Sequence, residues 1–126
     1  MKVKPAQQKN YREKHMSADL TYLKNITNDD QQLIREMIDI FARQVKEYTR
    51  EIKEIYQDAR WKDLSKLAHK VKASLAIMGM SELSNRMKEL EILAGEGREQ
   101  ERYHEFIDQF IRESNKAVKE LINREL

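Results

Sequence analysis

Three histidines, His15, His69 and His104, are the side chains of this chain whose charge changes near neutral pH, and no cysteine accompanies them. Thiolate nucleophiles, thiolate metal sites and disulfides are thereby excluded. An imidazole serves as metal ligand, proton carrier or nucleophile, and its neighbours decide which. His15 sits in a charged run near the start and His104 among long polar side chains, so both read as solvated surface residues. Glu101 and His104 match the Glu-x-x-His spacing of di-iron helical bundles. That site needs a second such pair and two further inward glutamates. One pair arises by chance in a chain with 37% charged residues, so no metal is expected.

His69 has different company. Steps of three and four residues put Lys62, Ser65, Lys66, His69, Lys72, Ala73 and Ala76 on one side of a helix. Ser65, Ala73 and Ala76 have little bulk, so the ring is expected to stand above a shallow surface that a partner can approach closely. The local charge is lopsided, because Arg60, Lys62, Lys66, Lys70 and Lys72 are opposed only by Asp63 within residues 60–72. Neighbouring ammonium groups disfavour a further positive charge and bias the imidazole toward its neutral, nucleophilic form. Such a ring can attack phosphorus, and Lys72, one turn along, can then pair with the phosphoryl oxygens. The chain lacks a Gly-rich phosphate loop, a P-loop lysine motif and an acidic magnesium cluster, so the phosphate must arrive ready-made. No Ser/His/Asp spacing suggests a nucleophilic triad.

The elements that must position these residues are helices. Only three glycines and one proline interrupt long runs of Glu, Lys, Leu, Ile, Arg and Gln, the residues a helix orders at least cost. Leu20, Leu23 and Ile26 behind an Asp19 cap predict a short first helix ending near residues 25–28. Asp29 and Asp30 open a long second helix with an apolar stripe through Leu33, Ile34, Met37, Ile38, Phe41, Val45, Tyr48, Ile52, Ile55 and Tyr56. Residues 58–61 break it. Leu64, Leu67, Ala68, Val71, Leu75 and Met78 mark a third helix stopped by Gly79. Ser81 and Glu82 begin a fourth with Leu83, Met87, Leu90 and Ala94, closed by a turn at Gly95-Glu96-Gly97. A last helix from near Glu99 carries Tyr103, Phe106, Ile107, Phe110, Ile111, Val118, Leu121 and Ile122. The expected fold is all-α, an antiparallel four-helix bundle with a short extra N-terminal helix. The stripes are wider than a coiled-coil seam.

At 126 residues the chain is one domain, with residues 1–18 as a basic leader and 19–126 as the bundle. The leader carries Lys2, Lys4, Lys9, Arg12 and Lys14 against Glu13 alone, which leaves the body slightly acidic. Nucleic acid is therefore not an expected partner, because phosphate binding needs a basic face rather than a basic tail. The leader reads as a solvated segment, with docking on an acidic partner as the alternative. The longest apolar stretch, residues 75–80, is far short of the roughly 20 residues that span a bilayer. Residues 1–14 contain no apolar secretion signal, and the expected location is cytoplasmic.

The string Leu67-Ala68-His69-Lys70-Val71-Lys72-Ala73-Ser74, with Gly79 ten residues after the histidine and Leu83 and Leu90-Glu91 beyond, resembles the signature of histidine-containing phosphotransfer domains. The resemblance covers residues 19–122, with Phe41 in the second helix and Trp61 leading into the third. It implies a phosphorelay intermediate. His69 would accept a phosphoryl group from the aspartate of a response-regulator receiver domain and pass it to another receiver, with Lys72 stabilising the phosphohistidine. A hybrid histidine kinase is a further implied partner. The docking face would be the helix bearing His69, with Lys62, Ser65, Lys66, Lys70, Ala73 and Ala76, and its neighbours on the second helix. Magnesium would belong to the receiver, this chain would hold no cofactor and have no kinase activity of its own, and a monomer is expected. Ala73 departs from the glycine that most often follows the motif lysine, the smallest change available. Glu91 stands where some members hydrogen-bond the imidazole; it either accepts a ring N–H and holds the tautomer or forms a surface salt bridge. The rival reading is a helical module of the same shape that docks receivers or kinases without carrying phosphate.

Overall fold

A computed structural model describes residues 17–124, and residues 1–16, including His15 and most of the basic leader, lie outside the described residues. Five α-helices follow in order: α1 (Thr21–Ile26), α2 (Gln31–Gln57), α3 (Trp61–Ile77), α4 (Ser81–Glu96) and α5 (Tyr103–Asn123), with a 3-10 turn at Gln100–Arg102 before the last. The described residues contain no strand. Helices α2 to α5 form the antiparallel bundle expected from the apolar periodicity, and α1 is the short extra helix.

Each helix from α1 to α4 stops in the same way. A residue in the left-handed region (Asn28, Ala59, Gly79 and Gly97) follows the last turn. The next amide then reaches back five residues: Asp29 N to Lys24 O, Arg60 N to Ile55 O, Met80 N to Leu75 O and Arg98 N to Leu93 O. This is the Schellman closure, which satisfies carbonyls that the helix end leaves free. Only two of the four positions are glycine, so the sequence marks the breaks after α1 and α2 weakly. The Gly95-Glu96-Gly97 turn needs correction on the same ground: Gly95 lies inside α4, and Gly97 alone takes the left-handed turn. At the start of α2 it is Asp30 that caps, its side chain accepting from Leu33 N. Asp19 stands one residue ahead of the α1 N-cap, Leu20, and accepts from both the amide and the hydroxyl of Thr21.

The core gathers Phe41, Val45 and Ile52 of α2, Leu64, Leu67 and Val71 of α3, Met87 and Leu90 of α4, and Phe106 and Phe110 of α5. Each such side chain contributes about 1.5–3 kcal/mol by leaving water. Ile26, Leu33, Tyr56 and Ile122, expected on apolar stripes, are instead exposed, because they sit at helix ends or stripe edges where no facing helix covers them. Ser114 is polar yet buried, its hydroxyl satisfied by Phe110 O. Ser17 and Ala18, grouped by charge with the leader, pack on the bundle: Ala18 is buried and Ser17 N donates to Glu120.

Three features place α3. Tyr48 of α2 hydrogen-bonds Ser74 at 3.2 Å. The Trp61 ring stands edge-on to Tyr103 at 5.1 Å, which anchors the start of α3 against α5. Gly79 lets the chain before α1 cross the end of α3, where Asp19 N donates to Met78 O at 3.0 Å. A side chain there would meet the Asp19 carbonyl, and the backbone φ of +69° already favours glycine.

Candidate functional site

The buried residues Leu64, Leu67, Ala68, Val71 and Leu75 fix the rotation of α3 about its axis, and the opposite side must face solvent. His69 is at the centre of that side, with 64% of its side chain exposed. Lys62, Lys66, Ala73 and Ala76 share the exposed face, and Lys70, also exposed, flanks it on the α2 side. Among the described residues Lys62, Lys66 and Lys70 make no ion pair, whereas Arg60 is held by Asp63 at 2.9 Å and Asp58 at 3.7 Å.

The lysines counted around the ring in sequence are not its nearest charged neighbours. Its nearest charged neighbour is a carboxylate from α4: Glu91 Oε2 lies 2.9 Å from His69 Nδ1, and the other oxygen, Oε1, lies 2.7 Å from Lys72 Nζ. Glu91 and Lys72 are only 24% and 25% exposed, so this pair is better shielded from water than the ring it supports. The ammonium of Lys72, and after it the imidazole of His69, hold the Glu91 carboxyl below its ordinary range against the cost of partial burial. Glu91 is therefore ionised at neutral pH and can only accept hydrogen bonds. The proton between the two groups thus belongs to Nδ1, and in the neutral ring the lone pair falls on Nε2. Of the two readings of Glu91 in sequence, the one in which it holds the tautomer matches this contact, and the salt bridge to Lys72 is present as well.

Ser65 is also not where sequence placed it. Its hydroxyl turns from the exposed face into α4 and donates to Glu91 O at 2.7 Å. Nearer the other end of the helix pair, Ser84 donates to Lys72 O at 2.9 Å. Ser84 and Gly95 are the positions that sequence reasoning missed. Small residues inside a helix signalled close packing, but the partner helix and register became visible only in three dimensions. Gly79 takes no part in the site and positions α1, while His104 is exposed on α5, and no group of acidic or histidine side chains that could hold a metal occurs among the described residues.

The family model for the Hpt domain matches residues 36–124. The chain belongs to this family. Hpt domains carry phosphoryl groups on histidine in phosphorelays and interact with the receiver and kinase domains of two-component systems. The match takes in all four bundle helices except the first residues of α2, and it leaves out α1. Neither the curated proteins nor the solved structures gave a significant match. No helix among the described residues is long and apolar enough to cross a membrane.

Proposed function

We propose that this Hpt domain is a monomeric cytoplasmic phosphorelay intermediate whose phosphoacceptor is His69. The observation that carries the reading is the exposed imidazole with Nδ1 tied to a carboxylate that also grips Lys72. Nε2 attacks the phosphorus of a receiver's aspartyl phosphate. The N–P bond forms, the P–O bond breaks, and the receiver's aspartate leaves as a carboxylate. The proton on Nδ1 stays, so the phosphorylated ring is cationic and faces Glu91, which offsets that charge. Transfer onward to a second receiver runs the same steps backwards and returns the neutral ring. Because the ring leaves as a neutral imidazole, neither direction needs a general acid. Lys72 has three donors, so it can keep Glu91 and still contact a phosphoryl oxygen.

In this reading the receiver docks over the exposed side of α3. Lys62, Lys66 and Lys70 meet its acidic phosphorylation pocket, Ala73 and Ala76 allow close approach, and magnesium stays with the receiver. Tyr48, hydrogen-bonded to Ser74, marks the α2 flank that faces α3. Ala73 in place of glycine adds one methyl on the exposed face and leaves the ring accessible.

The test is incubation with a phosphorylated receiver domain. The expected result is an acid-labile, base-stable label on the protein that disappears with His69→Gln. An unlabelled protein that still binds the receiver would establish the docking module instead, and a label that survives His69→Gln would move the acceptor elsewhere.

A further inference from the structure

We propose that Ser65 and Gly95 form a register lock between α3 and α4 that sets the reactivity of His69 by fixing the reach of Glu91; this rests on the reading of His69 as phosphoacceptor. Neither residue touches the ring, so both act as positioning residues. Gly95 is the one glycine of the described chain whose φ lies outside the left-handed region. Backbone freedom therefore does not account for it. A glycine inside a helix costs about 1 kcal/mol relative to alanine, and what it provides here is room. A methyl group on Gly95 would stand 3.1 Å from Ser65 Oγ, tighter than ordinary van der Waals contact. Ser65 uses the space to pass its hydroxyl to Glu91 O. The Ser84 hydroxyl fastens α4 to Lys72 O on the other side of Glu91, so the acidic residue is bracketed by two fixed points.

The lock matters because Glu91 has no slack. Its two oxygens are committed at 2.9 and 2.7 Å to groups on the facing helix. Hydrogen bonds of this type fade beyond roughly 3.2 Å, so an outward shift of α4 by about half an ångström frees Nδ1. Close helix pairs lie near the 8 Å end of the usual 8–10 Å range only when small side chains meet at the contact. With Nδ1 free, the ring loses the acceptor that keeps its lone pair on Nε2, and the cation formed on phosphorylation loses its counter-charge. Reactivity is thus tuned at the α3/α4 contact, apart from the face that a receiver touches.

The experiment compares the full chain with Ser65→Ala, Ser65→Thr and Gly95→Ala by 15N spectroscopy of the His69 ring, phosphoryl transfer from a phosphorylated receiver, and thermal unfolding. The wild type is expected to show the Nδ1–H tautomer. Ser65→Ala and Gly95→Ala should shift it toward the Nε2–H form and slow transfer several-fold, up to the roughly 100-fold that a 1 Å misplacement costs, with the fold intact. Ser65→Thr, which keeps the hydroxyl, should restore both readouts. Wild-type tautomer and transfer rate in Ser65→Ala and Gly95→Ala overturn the lock. Absence of label on the wild type overturns the phosphoacceptor reading instead, and the ring spectra still decide whether Ser65 and Gly95 control the His69–Glu91 contact.

Discussion

Replacing Gly79 with alanine should release α1 from a bundle that otherwise survives. The residue sits at φ +69°, where an L side chain costs about 1 kcal/mol. The larger effect is the neighbour: an added Cβ would stand 1.9 Å from Asp19 O and 2.7 Å from Asp19 C. Both are backbone atoms, so no rotamer change relieves the clash. The chain before α1 has to retreat by roughly 1 Å or more, which takes the 3.0 Å Asp19 N to Met78 O bond out of hydrogen-bond range at a cost of about 1 kcal/mol. If α1 lifts away, the fully buried Leu23 returns to water for a further ~1.5–3 kcal/mol. The total, about 3–5 kcal/mol, falls mainly on α1, because the core of α2 to α5 does not rest on Asp19. Amide hydrogen exchange reads this directly: protection at Lys24 and Thr27, whose amides bond Leu20 O and Leu23 O, should collapse while the α3 and α4 amides stay protected. A Gly79→Ala protein with wild-type protection in α1 and a urea midpoint within error of the parent would refute the argument from close approach.

Ala59 occupies the corresponding left-handed position after α2 with φ +52° and an exposed side chain, so Ala59→Gly should stabilise the fold by about 0.5–1 kcal/mol, measured by urea melts followed on the single tryptophan. Lys72→Ala should lower the melting temperature slightly, by loss of its ion pair with Glu91, and shorten the lifetime of the phosphohistidine, checked by decay of the label after removal of the receiver. Acid should weaken the fold in a defined window. Glu91 is held below its ordinary range by Lys72 and then His69, and Asp19 by its hydrogen bonds from Thr21. A depressed carboxylate lends stability above its unfolded pKa and loses it as the pH falls through the folded value, so urea midpoints should drop below about pH 4, less steeply in Glu91→Gln. Tyr103→Phe should cost about 1–2 kcal/mol, because its buried hydroxyl closes the end of α4 by sharing its one proton between Leu93 O and Arg98 O at 2.9 and 2.7 Å.

Helix number, order and the exposed side of α3 were legible in the sequence because they follow from one-dimensional rules: the 3.6-residue period of apolar residues and glycine at two of the helix ends. The left-handed turns at Asn28 and Ala59 were not, since no glycine marks them. His69 and Lys72 were legible as neighbours because they share a helix. Glu91 was suggested only by family resemblance, and its bond to Lys72 was not anticipated, because nothing in spacing fixes the register of α4 on α3. The same reason misplaced Ser65. On a helical wheel it belongs to the exposed face, but its position on the α4 flank and the absence of a side chain on Gly95 turn its hydroxyl inward. The local charge count failed for a related reason. Arg60 is neutralised within its own turn and Lys72 by the next helix, which leaves Lys62, Lys66 and Lys70 as the cations offered outward.

That distribution of charge separates two tasks which a relay must keep apart. On the proposed mechanism a donor receiver and an acceptor receiver visit the same imidazole in turn, so the docking face has to accept both and cannot be tailored to one. Groups that determine the chemistry would be exposed to every difference between the two partners if they lay on that face. Here only the ring itself does. The carboxylate that orients it and the lysine beside it are shielded by the α3/α4 contact, and their positions depend on Ser65, Ser84 and Gly95 rather than on the partner. A preformed site of this kind needs no reorganisation on docking, which lowers the barrier equally in both directions. Reversibility follows from the same arrangement, because the proton on Nδ1 that Glu91 holds before attack is the proton that makes the imidazole a good leaving group afterwards. One carboxylate on the neighbouring helix therefore serves both loading and unloading of His69.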